Sequence, residues 1–196
     1  RQFAQSAQFE PAALAMTLTV AANDLQRDLL LPPFLQRVRQ HAPGLRLRVV
    51  PSGAPKAEML REGQCQMLIT PRPPDATDLK HTRLFEDRYA VFFDAQAREA
   101  PATLDEFLAA DHVTVVHEAQ RPLDIDSLFA DRGLTRRFVA QVPGFSGVAP
   151  FLAGSRCLAT LPRLLTSHLL AGFACVPVPL PCPTMPMYLV WHLRHH

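Results

Sequence analysis

Residues 16–71, MTLTVAANDLQRDLLLPPFLQRVRQHAPGLRLRVVPSGAPKAEMLREGQCQMLITP, alternate strand-like runs with helical patterns, and that alternation decides the fold class. The β-branched run Met16 to Ala22 suits a buried strand. Asn23 and Asp24 follow as candidate helix N-caps. Leu30, Phe34, Leu35 and Val38 then recur at helical spacing, interrupted by Pro32 and Pro33, which predict a kink or a late start. The helix should stop by Ala42-Pro43-Gly44. Leu45 to Val50 alternates apolar and basic residues as a half-exposed strand. Ala54 to Glu62 reads as a short helix ended by Gly63 in the left-handed conformation, and Cys65 to Thr70 as a third strand. A βαβαβ series of this kind requires a parallel sheet with right-handed crossovers.

Beyond this block the pattern changes. Pro71 to Asp78 is a proline-rich crossing, followed by a strand over Arg88–Asp94. Leu104–Ala109 is predicted helical, with Thr103 and Glu106 spaced as a capping box. Further strands are expected over His112–His117, Phe138–Val142, Cys157–Leu161, Phe173–Val178 and Met187–His192. Helices are expected over Ile125–Asp131, Val148–Ala153 and Arg163–Leu170. Strand and helix alternate throughout, so the fold class is α/β, and the break near Pro71–Asp87 divides it into two lobes.

Composition narrows the function. The 196 residues carry a net charge of +2, which disfavours this segment as a nucleic-acid binder by itself. Cys65, Cys157, Cys175 and Cys182 form no C-x-x-C pair, so free thiols are expected in place of a metal site or a disulfide scaffold. No apolar run approaches the ~20 residues that span a bilayer, and the N-terminus lacks a signal-peptide pattern, so a soluble, cytoplasmic protein is expected.

Residues that would carry catalysis are missing. G-x-S-x-G, G-x-G-x-x-G, Walker A and H-E-x-x-H sequences do not occur. Gly144-Phe145-Ser146-Gly147 is one residue short of a nucleophile elbow. Asp124 and Asp126 sit where carboxylates offset a helix dipole. Arg39, Arg46 and Arg48 read as solvated positions. The expectation is a binding domain with no catalytic residues, no metal and no cofactor.

Five stretches in order resemble the effector-binding domain of LysR-type transcriptional regulators. They are TLTVAANDLQRDLLLPPFLQRVRQHAPGLRLRVVP (17–51), AEMLREGQCQMLITP (57–71), LFEDRYAVFF (84–93), LTRRFVAQVPGFSGVAPFLAGSRCLATLPRLLTSHL (134–169) and YLVWH (188–192). The VPGF, LATLP and YLVWH segments are similar to the subgroup that regulates nodulation and salicylate or nitroaromatic catabolism. Gln66 replaces the family's usual Asp, Gly154-Ser155-Arg156-Cys157 replaces its "GxGI", and Asp94-Ala95-Gln96 replaces its histidine-proline. The family's N-terminal winged helix-turn-helix, linker helix and last helix have no counterpart, so a fragment or a truncated form is expected.

The resemblance implies a periplasmic-binding-protein type II-like fold of two Rossmann-like lobes joined by two crossover strands. Residues 1–15 would end a linker, 16–71 and 173–192 form the first lobe, 88–165 the second, and 72–87 and 166–172 the hinge. It implies a small-molecule effector in the interlobe cleft, a homodimer or homotetramer, and DNA contact through the winged helix-turn-helix. In the dimer, Leu30–Gln40 and Leu45–Val50 would pack on Val148–Ala153 of an antiparallel second copy. Ligands of α/β sheets sit at the carboxyl ends of strands. Here those loops hold Asn23, Asp24, Ser52, Gly53, Thr70, Pro71, Arg72, His117, Glu118, Gly144, Phe145 and Ser146. Hydroxyls, a cation and an aromatic wall suit a small, partly aromatic carboxylate, whereas Asp24 would repel an anion and favour a neutral or hydroxylated effector. Asn23 as an N-cap and Phe145 as core are the purely structural alternatives. The competing assignments are a solute-binding protein of the same fold and an enzyme built on it.

Overall fold

The computed structural model describes residues 10–117 and 121–195. Glu118, the first nine residues of the expected linker, and His196 lie outside them.

The first lobe is a five-stranded sheet of order β2-β1-β3-β11-β4, built from β1 (Thr17–Ala21), β2 (Arg46–Val50), β3 (Met67–Thr70), β4 (Leu79–Asp87) and β11 (Met185–His192). β1 pairs parallel with both β2 and β3, whereas β11 runs antiparallel to β3 and β4. The second lobe contains β5 (Tyr89–Phe93), β6 (Asp111–His117), β7 (Arg121–Pro122), β8 (Arg137–Val142), β9 (Ala159–Pro162) and β10 (Ala174–Pro177). These form two three-stranded sheets, β10-β5-β9 and β7-β6-β8, joined by a parallel bridge between His112 and Leu158. The α-helices among the described residues are α1 (Asp24–Val38), α2 (Ala57–Arg61), α3 (Leu104–Ala109), α4 (Asp124–Asp131) and α5 (Ala149–Leu152).

Four expectations need correction. α1 runs unbroken through Pro32 and Pro33. Both prolines are exposed, and they leave the carbonyls of Asp28 and Leu29 without a helical N–H donor. β4 falls in the stretch expected to be hinge; it is a charged edge strand whose pairing with β11 depends on backbone groups, so its side chains carry little burial signal. Residues Ala174–Pro177 pair antiparallel with β5, which puts them in the second lobe and not the first. The stretch Arg163–Ser167 is a 3-10 turn and not part of an α-helix. The chain therefore crosses to the second lobe at Arg88 and returns through residues 178–184.

Other features follow the local chemistry. Gly63 ends α2 with φ +72°, a conformation free of steric cost only for glycine. The Thr103 hydroxyl accepts from the Glu106 N–H at 3.2 Å, and the Glu106 carboxylate reaches back to the Ala102 N–H. The main core packs Leu18, Val20 and Ile69 of the first lobe with Val91, Phe92, Val113, Val115 and Leu161 of the second. Phe107, Phe129 and Phe138 surround the Arg136 guanidinium, which stacks 4.1 Å from the Phe129 ring centre and pairs with Asp126 at 2.6 Å.

At the crossing the Asp87 carboxylate accepts from the N–H groups of Arg88 (2.7 Å) and Leu164 (3.1 Å), tying the end of β4 to the turn after β9. Among the described residues, no helix is long and apolar enough to cross a membrane, and no group of three or more His, Cys, Asp or Glu side chains is placed to hold a metal. All four cysteines are free thiols.

Candidate interlobe cleft

The parallel strands of both lobes point their carboxyl ends at one cleft. β1 delivers Asn23 and Asp24, β2 delivers Ser52 and Gly53, and β3 delivers Thr70 and Pro71; β6 delivers His117, and β8 delivers Gly144 to Ser146. The inner part of the cleft is a cavity of about 60 Å³. Asn23, Ser52, Gly53, Thr70, Pro71, His117 and Phe145 are among its walls. An outer recess of about 510 Å³ adjoins it, lined in part by Asn23, Asp24, Gly53, His117, Gly144 and Ser146. Ten of the eleven candidate residues named by number in the described part of the cleft loops thus line one space or the other. Arg72 lines neither.

Several of these residues already have partners. Asn23 occupies the N-cap position of α1, but its side chain makes no capping bond; its Oδ1 accepts from the Ser52 hydroxyl at 2.8 Å. The Thr70 hydroxyl accepts from the Arg72 N–H at 3.1 Å, closing a local turn. Arg72 reaches over the cleft to Asp124 at the start of α4, with Nε 3.0 Å from Oδ2 and a second bond from Nη2 to Oδ1. Asp24 bridges the lobes in the other direction, its Oδ2 accepting from the Ser146 N–H at 2.9 Å. Phe145 is buried and meets the His117 ring edge-on at 5.8 Å.

Gly144 permits the Asp24 contact. Its backbone is extended, and a Cβ placed there would lie 2.8 Å from Asp24 Oδ2. A side chain at this position would have to push the Asp24 carboxylate aside.

The cavity also uses residues that the strand-end rule does not select: Leu25 and Gln26 on the first turn of α1, Tyr89 at the crossing, and Met185 and Met187 on β11. Gln26 and Tyr89 follow strand ends or crossings by a few positions, but nothing in their local sequence shows which way they face. Burial pushes the Tyr89 hydroxyl up to about 12, helped by the nearby charge of Asp126, so it stays a neutral donor. Among the described residues, no lysine or arginine lines the inner cavity.

The profile of the LysR substrate binding domain matches residues 12–196. The chain belongs to the LysR substrate-binding domain family. This LysR domain is 26% identical over 193 residues to the HTH-type transcriptional activator NagR of a Ralstonia species, covering 96% of the chain and 64% of NagR. It is 28% identical over 182 residues to nodulation protein D 1 of Bradyrhizobium japonicum, covering 92% of the chain and 57% of that protein. The chain thus spans less than two thirds of these relatives. Among solved structures it is similar to a probable transcriptional regulator of Pseudomonas aeruginosa, with TM-score 0.83 and 29% identity over 95% of this chain and 65% of that one. The LysR effector-binding fold of type II periplasmic-binding character, implied by the family resemblance, is the fold found.

Proposed function

We propose that this LysR domain is the sensor of a transcriptional regulator, binding a small aromatic or carboxylate-bearing effector between its lobes. Its output would be a changed arrangement of a homodimer or homotetramer, passed to a winged helix-turn-helix on DNA in the cytoplasm. The observation that carries this reading is a cavity walled from both lobes and held shut by contacts that cross between them. About 60 Å³ is far below the ~300 Å³ of the smallest ordinary ligand sites. An effector can enter the inner cavity only by moving the lobes apart, which strains the Asp24–Ser146 and Arg72–Asp124 links. Ligand binding and lobe geometry are coupled by that necessity, and a ligand shifts an equilibrium only through such differential contact.

The exposed apolar side chains support the oligomer. Phe34 on α1 belongs to the first lobe, whereas Val139 on edge strand β8 and Phe151 on α5 belong to the second. An antiparallel pair of copies would bring the first set against the second.

The test is a thermal-shift screen against aromatic carboxylates, phenolics, amino acids and sugars. A ligand at a hundredfold excess over its Kd stabilises by about 2.7 kcal/mol. A hit abolished by Asn23→Ala and Ser52→Ala identifies the cleft as the sensor; a hit indifferent to both moves the binding site elsewhere.

A further inference from the structure

Gln26 is 4% exposed on the first turn of α1 and lines the inner cavity. Its two amide atoms differ in circumstance. Nε2 donates to the sulfur of Met187 at 3.4 Å. Oε1 is buried with no hydrogen-bond partner in the protein, one of three such side-chain atoms among the described residues. The other two, His112 Nδ1 and Thr160 Oγ1, belong to residues that do not line this cavity. A buried carbonyl oxygen is costly unless a donor meets it.

The rest of the wall points the same way. Among the described residues, no lysine or arginine lines the inner cavity, and Arg72, next to the lining Pro71, is bound through two nitrogens to Asp124. The lining carboxylate, Asp124, is itself negative. Leu25, Ile69, Phe145, Met185 and Met187 supply the apolar part of the wall, beside the polar Asn23, Ser52, Thr70, Tyr89 and His117. A ligand carboxylate placed against Gln26 Oε1 would set acceptor against acceptor, with no cation among the described lining residues to offset it.

We propose that Gln26 is a specificity-determining residue that selects aromatic effectors carrying a neutral hydroxyl, which donates to its Oε1, and rejects the matching carboxylates. The inference rests on the reading of the cleft as the effector site and narrows its ligand class. Because a site built to bond a hydroxyl leaves a group unpaired when the hydroxyl is missing, discrimination should be strong.

The experiment titrates the domain calorimetrically with phenol, anisole and benzoate, and with naphthol, methoxynaphthalene and naphthoate. The hydroxylated member of each set should bind at least tenfold tighter than its methyl ether and its carboxylate. Gln26→Met keeps the volume but removes the acceptor, and should reduce the hydroxyl-to-ether ratio to about one, with the urea midpoint confirming a folded protein. The wild-type ratios stand as the test if that variant does not fold. Equal affinities within a set, tighter carboxylates, or an unchanged ratio in Gln26→Met overturn this inference and leave the cleft reading intact. If none of the six binds while the broad screen yields an effector lacking a donor, the inference again falls alone. If neither finds any ligand, the cleft reading falls with it.

Discussion

Asp24 and Ser146 lie 122 positions apart, and the carboxylate of one accepts the backbone N–H of the other at 2.9 Å across the cleft. The carboxylate is on the first turn of α1 and the N–H is in the 3-10 turn after β8, so this hydrogen bond is one of the links between the lobes. A bond to a charged group contributes about 1.5–3 kcal/mol when shielded from water, and Asp24 is largely buried. Asp24→Ala should therefore lower stability by about 1–2 kcal/mol and raise the radius of gyration in small-angle scattering. An unchanged scattering profile would show that other contacts hold the cleft closed.

Gly144→Ala addresses the same contact from the other side. The added methyl group would fall 2.8 Å from the Asp24 carboxylate, closer than the two can approach. The variant should reproduce the opening seen in Asp24→Ala, and the double variant should add little to either single change. Full additivity in urea titrations would separate the two effects.

The second link is expected to contribute less. Arg72 and Asp124 have side chains 54% and 39% exposed, so solvent screens their attraction. Arg72→Gln should change stability by no more than about 1 kcal/mol, and the difference should shrink further in high salt. A loss of several kcal/mol would mean that the pair is shielded from solvent in solution.

Burial reverses that expectation at Arg136 and Asp126, whose side chains are 2% and 7% exposed. Thr114 also donates to Asp126, and three phenylalanine rings enclose the guanidinium. Arg136→Leu strands a buried carboxylate and should cost about 3–5 kcal/mol in chemical denaturation.

His112 sets a pH dependence. It is fully buried, with Nε2 2.8 Å from the Phe107 carbonyl oxygen. Burial, with a smaller contribution from the Arg136 charge, lowers its pKa to about 4 from an ordinary 6.5. The unfolded chain therefore takes up a proton that the folded chain refuses. This contribution is fully present above pH 6.5 and is lost as the pH falls toward 4. The shift corresponds to roughly 3 kcal/mol. Urea midpoints should fall across that window, and His112→Leu should flatten the fall.

Phe34 and Phe151 test the assembly. Burying each ring between copies would contribute roughly 1.5–3 kcal/mol. Phe34→Ser and Phe151→Ser should each weaken self-association at least about tenfold in sedimentation equilibrium without lowering the urea midpoint. Unchanged association would place the interface on another face.

Local chemistry by itself determined the α/β class, the strand ends that face the cleft and the glycine that ends α2. β-branched runs, capping residues and Gly63 act through their own backbone conformations and their immediate neighbours, so they are legible in order along the chain. What the neighbourhood of a residue does not contain is the identity of its distant partner. Ala174–Pro177 is a strand whichever sheet receives it, and only the antiparallel register with β5 decides that it belongs to the second lobe. Phe34 and Leu31 lie in one helix, yet the tertiary packing buries Leu31 and leaves Phe34 exposed. Asn23 looks like a cap until Ser52 takes its oxygen, and Arg72 looks like an anion site until Asp124 takes its guanidinium. Gln26 shows the limit most clearly. An amide two residues into a helix is unremarkable in sequence, and its unpartnered oxygen exists only because β11 brings Met187 to one end of the side chain and the closed lobes bury the other. Hydrogen bonds and burial are properties of residue pairs, and which pairs form is settled only when the whole chain closes.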